Sequence, residues 1–150
     1  MGTLTGSATA EINAPLDTVW AVIADVERAP DWQGGMDGLT ALERDGEGRA
    51  VLTEAIADIK VRKVKSTVRF SYADGPTRLS WRQEKGELKS VEGAWVLEDL
   101  GGRTRATYQI EVDFGRMLGA LVRGPVEAAV RSILVAARAD ELKARVQQGA

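Results

Sequence analysis

Carboxylates, lysines and tyrosines are the groups this chain can use for proton transfer near neutral pH, because it contains no histidine and no cysteine. That excludes thiolate nucleophiles, disulfide redox chemistry, haem attachment, Cys/His structural zinc and Ser-His-Asp triads. Glu54, Asp58 and Glu92 lie on or beside predicted strands, with Arg69 and Arg82 as anion-binding companions. A buried carboxylate among them, its pKa raised, could abstract a proton alpha to a carbonyl. Strand alternation, however, sends Arg69 and Arg82 away from the aromatic face, so surface charge is the preferred reading of the set. Asp25, Glu27 and Asp31 lack the alternating ligands and terminal glutamate of a calcium loop. Gly34-Gly35-Met36-Asp37-Gly38 fails the dinucleotide fingerprint and joins no strand to a helix. No catalytic residue, metal or cofactor is assigned, and binding is favoured over catalysis.

Aromatic side chains are the stronger signal. Phe70, Tyr72, Trp81, Trp95 and Tyr108 fall on one predicted sheet face, where they either wall an apolar pocket or fill a solid core. In the pocket reading the tyrosine hydroxyls and Gln83 are the orienting polar groups. Val130 and Leu134 complete the lining from a helix. Trp32 and Met36, in a glycine-flanked loop, are expected to gate the entrance opposite Phe114, Met117 and Leu121. Trp20, in helical register with Leu16 and Ile23, reads as core.

These residues need a sheet and a helix to hold them. A first strand is expected over Leu4 to Ile12, then a helix opening near Asn13 and Pro15 and ending near Asp25. A second short turn covers Val26 to Ala29. From Leu39 to Val112 the pattern is stranded, broken at Asp45-Gly46-Glu47-Gly48, Asp74-Gly75-Pro76, Lys85-Gly86 and Leu100-Gly101-Gly102. The predicted strands are Val51 to Ala57, Ile59 to Tyr72, Leu79 to Glu84, Leu88 to Glu98 and Thr104 to Val112. Met117 to Val122 suggests a short helix. Pro125 then starts a helix to about Gln147, roughly 35 Å long. Val126, Ala129, Val130, Ile133, Leu134 and Ala137 form its apolar stripe. Its many alanines leave space that either a cavity or close helix–sheet approach would use.

Length and composition frame the rest. At 150 residues, 44% hydrophobic and 28% charged, residues 1–150 read as one globular domain. A net charge of −2 gives no field toward nucleic acid or anionic lipid. The basic run Ile59 to Lys65 splits its cations between two faces and reads as a solvated strand. No stretch reaches membrane-spanning length, so stable membrane insertion is not expected. Met1 to Gly6 lacks a signal peptide's basic start and apolar run, and Gly6 stands where myristoylation of Gly2 needs Ser or Thr. A cytoplasmic monomer or homodimer holding a small apolar molecule is the expectation.

Three segments narrow the fold. Asn13-Ala14-Pro15-Leu16-Asp17-Thr18-Val19-Trp20 resembles the opening helix of the START-like, or SRPBCC (polyketide cyclase/dehydrase and lipid transport), superfamily. Asp25 to Trp32 resembles the segment that follows it there. Gly93 to Glu98 with Gly101 to Tyr108 is similar to its penultimate hairpin. The resemblance covers nearly the whole chain. It implies an α+β helix-grip fold: a curved antiparallel sheet of about seven strands around a long C-terminal helix, with two short helices after the first strand. It also implies a cavity between sheet and helix. Members carry lipids and sterols, act as pollen allergens and plant hormone receptors, bind coenzyme Q, cyclise aromatic polyketides or activate a chaperone ATPase. Shared fold does not choose among these. The iron-binding hydroxylases of the group need histidine ligands, which this chain lacks. Binding of a lipid, quinone or aromatic polyketide is the first expectation. A cofactor-independent cyclase or dehydratase and a ligand-free protein-interaction module are the alternatives.

Overall fold

The structure, a computed structural model, describes residues 3–148. Met1 and Gly2, weighed above for a signal peptide and a lipid anchor, lie outside those residues. Seven antiparallel strands form one sheet in the order β1-β7-β6-β5-β4-β3-β2. They are β1 (Thr3–Ile12), β2 (Met36–Arg44), β3 (Ala50–Asp58), β4 (Lys63–Ser71), β5 (Arg78–Gly86), β6 (Ser90–Asp99) and β7 (Thr104–Asp113). From β2 to β7 each strand pairs with the next. The one long connection, β1 to β2, spans the sheet from edge to edge. It carries α1 (Leu16–Ala24) and a 3-10 turn (Val26–Asp31). Two further short helices, α2 (Gly115–Leu121) and α3 (Pro125–Arg131), lead through a π-helical turn (Ser132–Ala136) into α4 (Arg138–Gln147). This is the helix-grip arrangement that the sequence predicts.

Alternation places the apolar faces as expected in most strands. Val64, Ser66 and Val68 of β4, Leu79 of β5, Trp95 and Leu97 of β6, and Ala106, Tyr108 and Ile110 of β7 are all buried. Asn13 does not cap α1: Pro15 occupies the cap position, and the Asn13 backbone N–H donates to Gln147 Oε1 at 3.0 Å. The predicted strand Ile59 to Tyr72 also needs correction. Lys60 has a positive φ of 76°, which turns the chain, and β4 begins at Lys63. At its other end β4 stops at Ser71, so Tyr72 lies past the pleat that its neighbours share.

The C-terminal helix departs most from expectation. A straight α-helix continuing from Val130 would turn Leu134 and Ala137 inward together. Instead the fully buried positions step from Val130 to Val135, then to Arg138, Ala139, Leu142 and Val146. The first step is five residues, the signature of a π turn, which adds one residue to the coil and rotates everything after it. Ala137 gives way to Arg138 on the inner face.

Candidate functional site

Cross-strand pairing lines up the aromatic residues in rows. Phe70 on β4 faces Trp81 on β5, which faces Gly93 on β6. Leu79 faces Trp95, which faces Tyr108 on β7. Gly93 makes the first row possible, because a Cβ there would lie 2.5 Å from the Trp81 indole. The rings pack in tilted pairs: Phe70–Trp81 at 5.9 Å, Trp81–Tyr108 at 5.6 Å, Trp95–Tyr108 at 5.0 Å and Trp32–Trp95 at 6.3 Å between centroids. These are favourable edge and offset geometries.

Between this face and the C-terminal helix is a largely apolar cavity of about 140 Å³. Its wall includes Trp32, Met36, Phe70, Trp81, Trp95, Tyr108, Phe114, Val130 and Leu134, all expected from the sequence. Four expected residues lie elsewhere. Tyr72 is buried away from the cavity, its hydroxyl donating to the Ala50 carbonyl at 2.6 Å under the Arg49 guanidinium. Gln83 is also outside the wall. It accepts from Ser66 Oγ and donates to the Leu88 carbonyl, both at 2.8 Å, so its amide is already engaged. Met117 and Leu121 are 84% and 55% exposed, because α2 buries Leu118, and Val122 at its C-terminal cap, instead. They do not stand across from Trp32 and Met36.

The glycine loop is docked rather than free. Gly35 has φ 80°, and a Cβ there would come within 2.3 Å of Leu134 Cδ2, so only glycine fits. Gly34 is held at both backbone groups: its amide donates to Glu141 Oε2 at 2.9 Å, and its carbonyl accepts from Arg138 Nη1 at 3.0 Å. Met36 already belongs to β2, paired with Ala57.

Arg138, which sequence reasoning missed, puts a buried cationic side chain in the wall. Only 1% exposed, it donates to Glu141 Oε1 at 2.7 Å and sits 5.5 Å over the Tyr108 ring. Its Nε has no partner among the described residues, and neither does Trp32 Nε1; both atoms are buried. The π turn that brings Arg138 inward has no marker in residue type, so helical periodicity points past it. The carboxylates considered for catalysis are not on the wall. Asp25 alone represents their kind among the described lining residues, and its side chain is largely exposed. Glu92 instead faces an open groove with Arg69 and Arg82 on the other side of the sheet. Among the described residues no helix is long and apolar enough to cross a membrane.

Comparison with known proteins gives one family and one fold. The family described as polyketide cyclase / dehydrase and lipid transport matches residues 3–147. No curated protein matches the sequence. Among solved structures, a START superfamily protein from Mycobacterium smegmatis is 20% identical, with TM-score 0.81 over 97% of this chain and 99% of that one. A protein from Thermus thermophilus is 20% identical, with TM-score 0.81 over 98% and 99%. The Zhui aromatase/cyclase from Streptomyces sp. R1128 is 19% identical, with TM-score 0.78 over 97% and 94%. At these identities the likeness establishes the fold and leaves the chemistry open.

Proposed function

The chain belongs to the polyketide cyclase/dehydrase and lipid transport family, and within it we propose that this protein carries or sequesters a small apolar molecule in the cavity between sheet and C-terminal helix. The observation that carries this reading is the wall itself: three of the chain's four tryptophans, with Phe70, Tyr108 and Phe114, around about 140 Å³ of space. An apolar cavity of about 150 Å³ accepts benzene, so a single aromatic ring or a comparable apolar group fits without moving the walls. Burial of its surface supplies the affinity, at about 25 cal/mol per Å² before the costs of association. A multi-ring polyketide needs a larger space.

The same wall favours carriage over cyclisation. A cyclase that worked through a carboxylate base would need that group sheltered beside the substrate, and Asp25, the carboxylate among the described lining residues, is exposed.

Native mass spectrometry of the purified protein, followed by extraction of any passenger, tests the reading directly. Single-ring aromatics are also titrated against tryptophan fluorescence, since Trp32, Trp81 and Trp95 all border the space. Saturable binding that is lost in Val130→Phe, a substitution that fills the cavity, is expected. Met117→Ala serves as the control that keeps affinity. A protein that arrives empty and rejects every single-ring probe disproves the proposal.

A further inference from the structure

We propose that Trp32 Nε1–H and Arg138 Nε–H form a recognition point for a neutral acceptor oxygen, which makes the preferred ligand a small aryl carbonyl compound rather than a hydrocarbon or a carboxylate. The inference rests on the cavity-binding reading above and adds the ligand's chemical class. Both donors belong to residues of the cavity wall, both atoms are buried, and neither has an acceptor among the described residues. Buried donors of this kind are rare in folded proteins, and each costs stability unless something accepts from it. The two residues are tied together: Arg138 binds the carbonyl of Gly34, two residues beyond Trp32. Trp32 also packs on Trp95, Trp95 on Tyr108, and Tyr108 lies under the Arg138 guanidinium. An aromatic ring in the cavity thus meets aromatic walls while a substituent oxygen can meet one of these N–H groups.

Charge decides which oxygen. Glu141 already stands 2.7 Å from Arg138 Nη1 and neutralises it. A ligand carboxylate would put a second negative charge beside one guanidinium in a dry site, at a large desolvation cost. A ketone or quinone oxygen accepts from either donor without adding charge. Such a site also discriminates well against a hydrocarbon analogue, because that analogue leaves the donors unpaired.

Three probes of similar shape separate these cases: cumene, acetophenone and benzoate, each titrated calorimetrically into the wild-type protein and Trp32→Phe. Each probe is compared with itself across the two proteins, so its own hydration cancels. Acetophenone is expected to bind about tenfold more weakly to Trp32→Phe, the worth of one ordinary hydrogen bond. Cumene is expected to bind both proteins alike, which also shows that the variant keeps its cavity. Benzoate is expected to bind the wild type more weakly than acetophenone does. The infrared carbonyl stretch of acetophenone bound to the wild type gives a readout independent of any variant, and should fall below its value in an alkane. Equal weakening of cumene and acetophenone, an unshifted carbonyl band, or tighter binding of benzoate overturns the inference while cavity binding stands. If no probe binds the wild type, the cavity reading falls and takes the inference with it.

Discussion

Arg138→Met keeps a long, unbranched side chain in the wall but removes the guanidinium. Four interactions vanish: the charge-assisted bond to the Gly34 carbonyl, a longer one to the Leu134 carbonyl at 3.4 Å, the pairing with Glu141, and the stacking over Tyr108. The first contributes about 1.5–3 kcal/mol and the stacking about 1 kcal/mol. The ion pair contributes about 1 kcal/mol, because Glu141 is 24% exposed and regains water when its partner goes. Against this, the substitution removes the buried Nε that has no acceptor among the described residues, which returns about 1–3 kcal/mol of desolvation cost. The net loss is about 2 kcal/mol, well below the 3–5 kcal/mol typical when one member of a fully buried pair is deleted. Urea unfolding at 25 °C and neutral pH should show the midpoint falling with an unchanged m value, and the melting temperature dropping by about 4–8 °C. Because Arg138 is almost fully buried, the difference should persist in high salt. A variant as stable as the wild type, or a loss above about 4 kcal/mol, would refute the assignment of Arg138 as half-satisfied.

Tyr72 gives a pH signature. Burial pushes its hydroxyl up to about 12, against about 10 in an unfolded chain. The unfolded state therefore ionises first, so the contribution is complete below about pH 10 and is lost as pH rises toward 12. The loss is about 2–3 kcal/mol. Tyr72→Phe should cost about 1 kcal/mol at neutral pH by stranding the Ala50 carbonyl, yet show a flatter decline in urea midpoint between about pH 9 and 11.5. Parallel declines in the two proteins would contradict this. Gly93→Ala should force the Trp81 indole from its place, at about 1–3 kcal/mol of overpacking, with a change in near-ultraviolet circular dichroism; an unaltered aromatic spectrum would show that the ring does not depend on the glycine.

Alternation carried much of the site. Once β4 to β7 pair in register, period-two patterning alone puts Phe70, Trp81, Trp95 and Tyr108 on one face. It failed where the chain leaves the pleat, at Tyr72 and at the Lys60 turn. Met117-Leu118 and Leu121-Val122 offered two apolar pairs at i, i+4 spacing, and periodicity has no means of choosing between them. The helix buries Leu118, and Val122 at its C-terminal cap. Arg138 was hidden for a different reason. Backbone hydrogen bonding sets a π turn, and the local run Ser132 to Ala136 contains no glycine or proline to announce it.

The pairing of β1 with β7 has a consequence for how the protein is made. Thr9 and Thr107 meet across that ladder, their hydroxyls 3.0 Å apart, yet 98 residues of sequence separate them. A ribosome releases β1 ahead of the other six strands, and its one strand neighbour after all of them. Hairpins from β2 onward can zip as they emerge, whereas β1 must wait for a distant closure that is entropically slow. Its sequence suits the wait: threonine, serine and glutamate alternate with small or apolar residues, so the nascent strand offers no continuous apolar run to other chains. Docking of β1 onto β7 is then the closure of the sheet that has to wait for the whole run of strands between them.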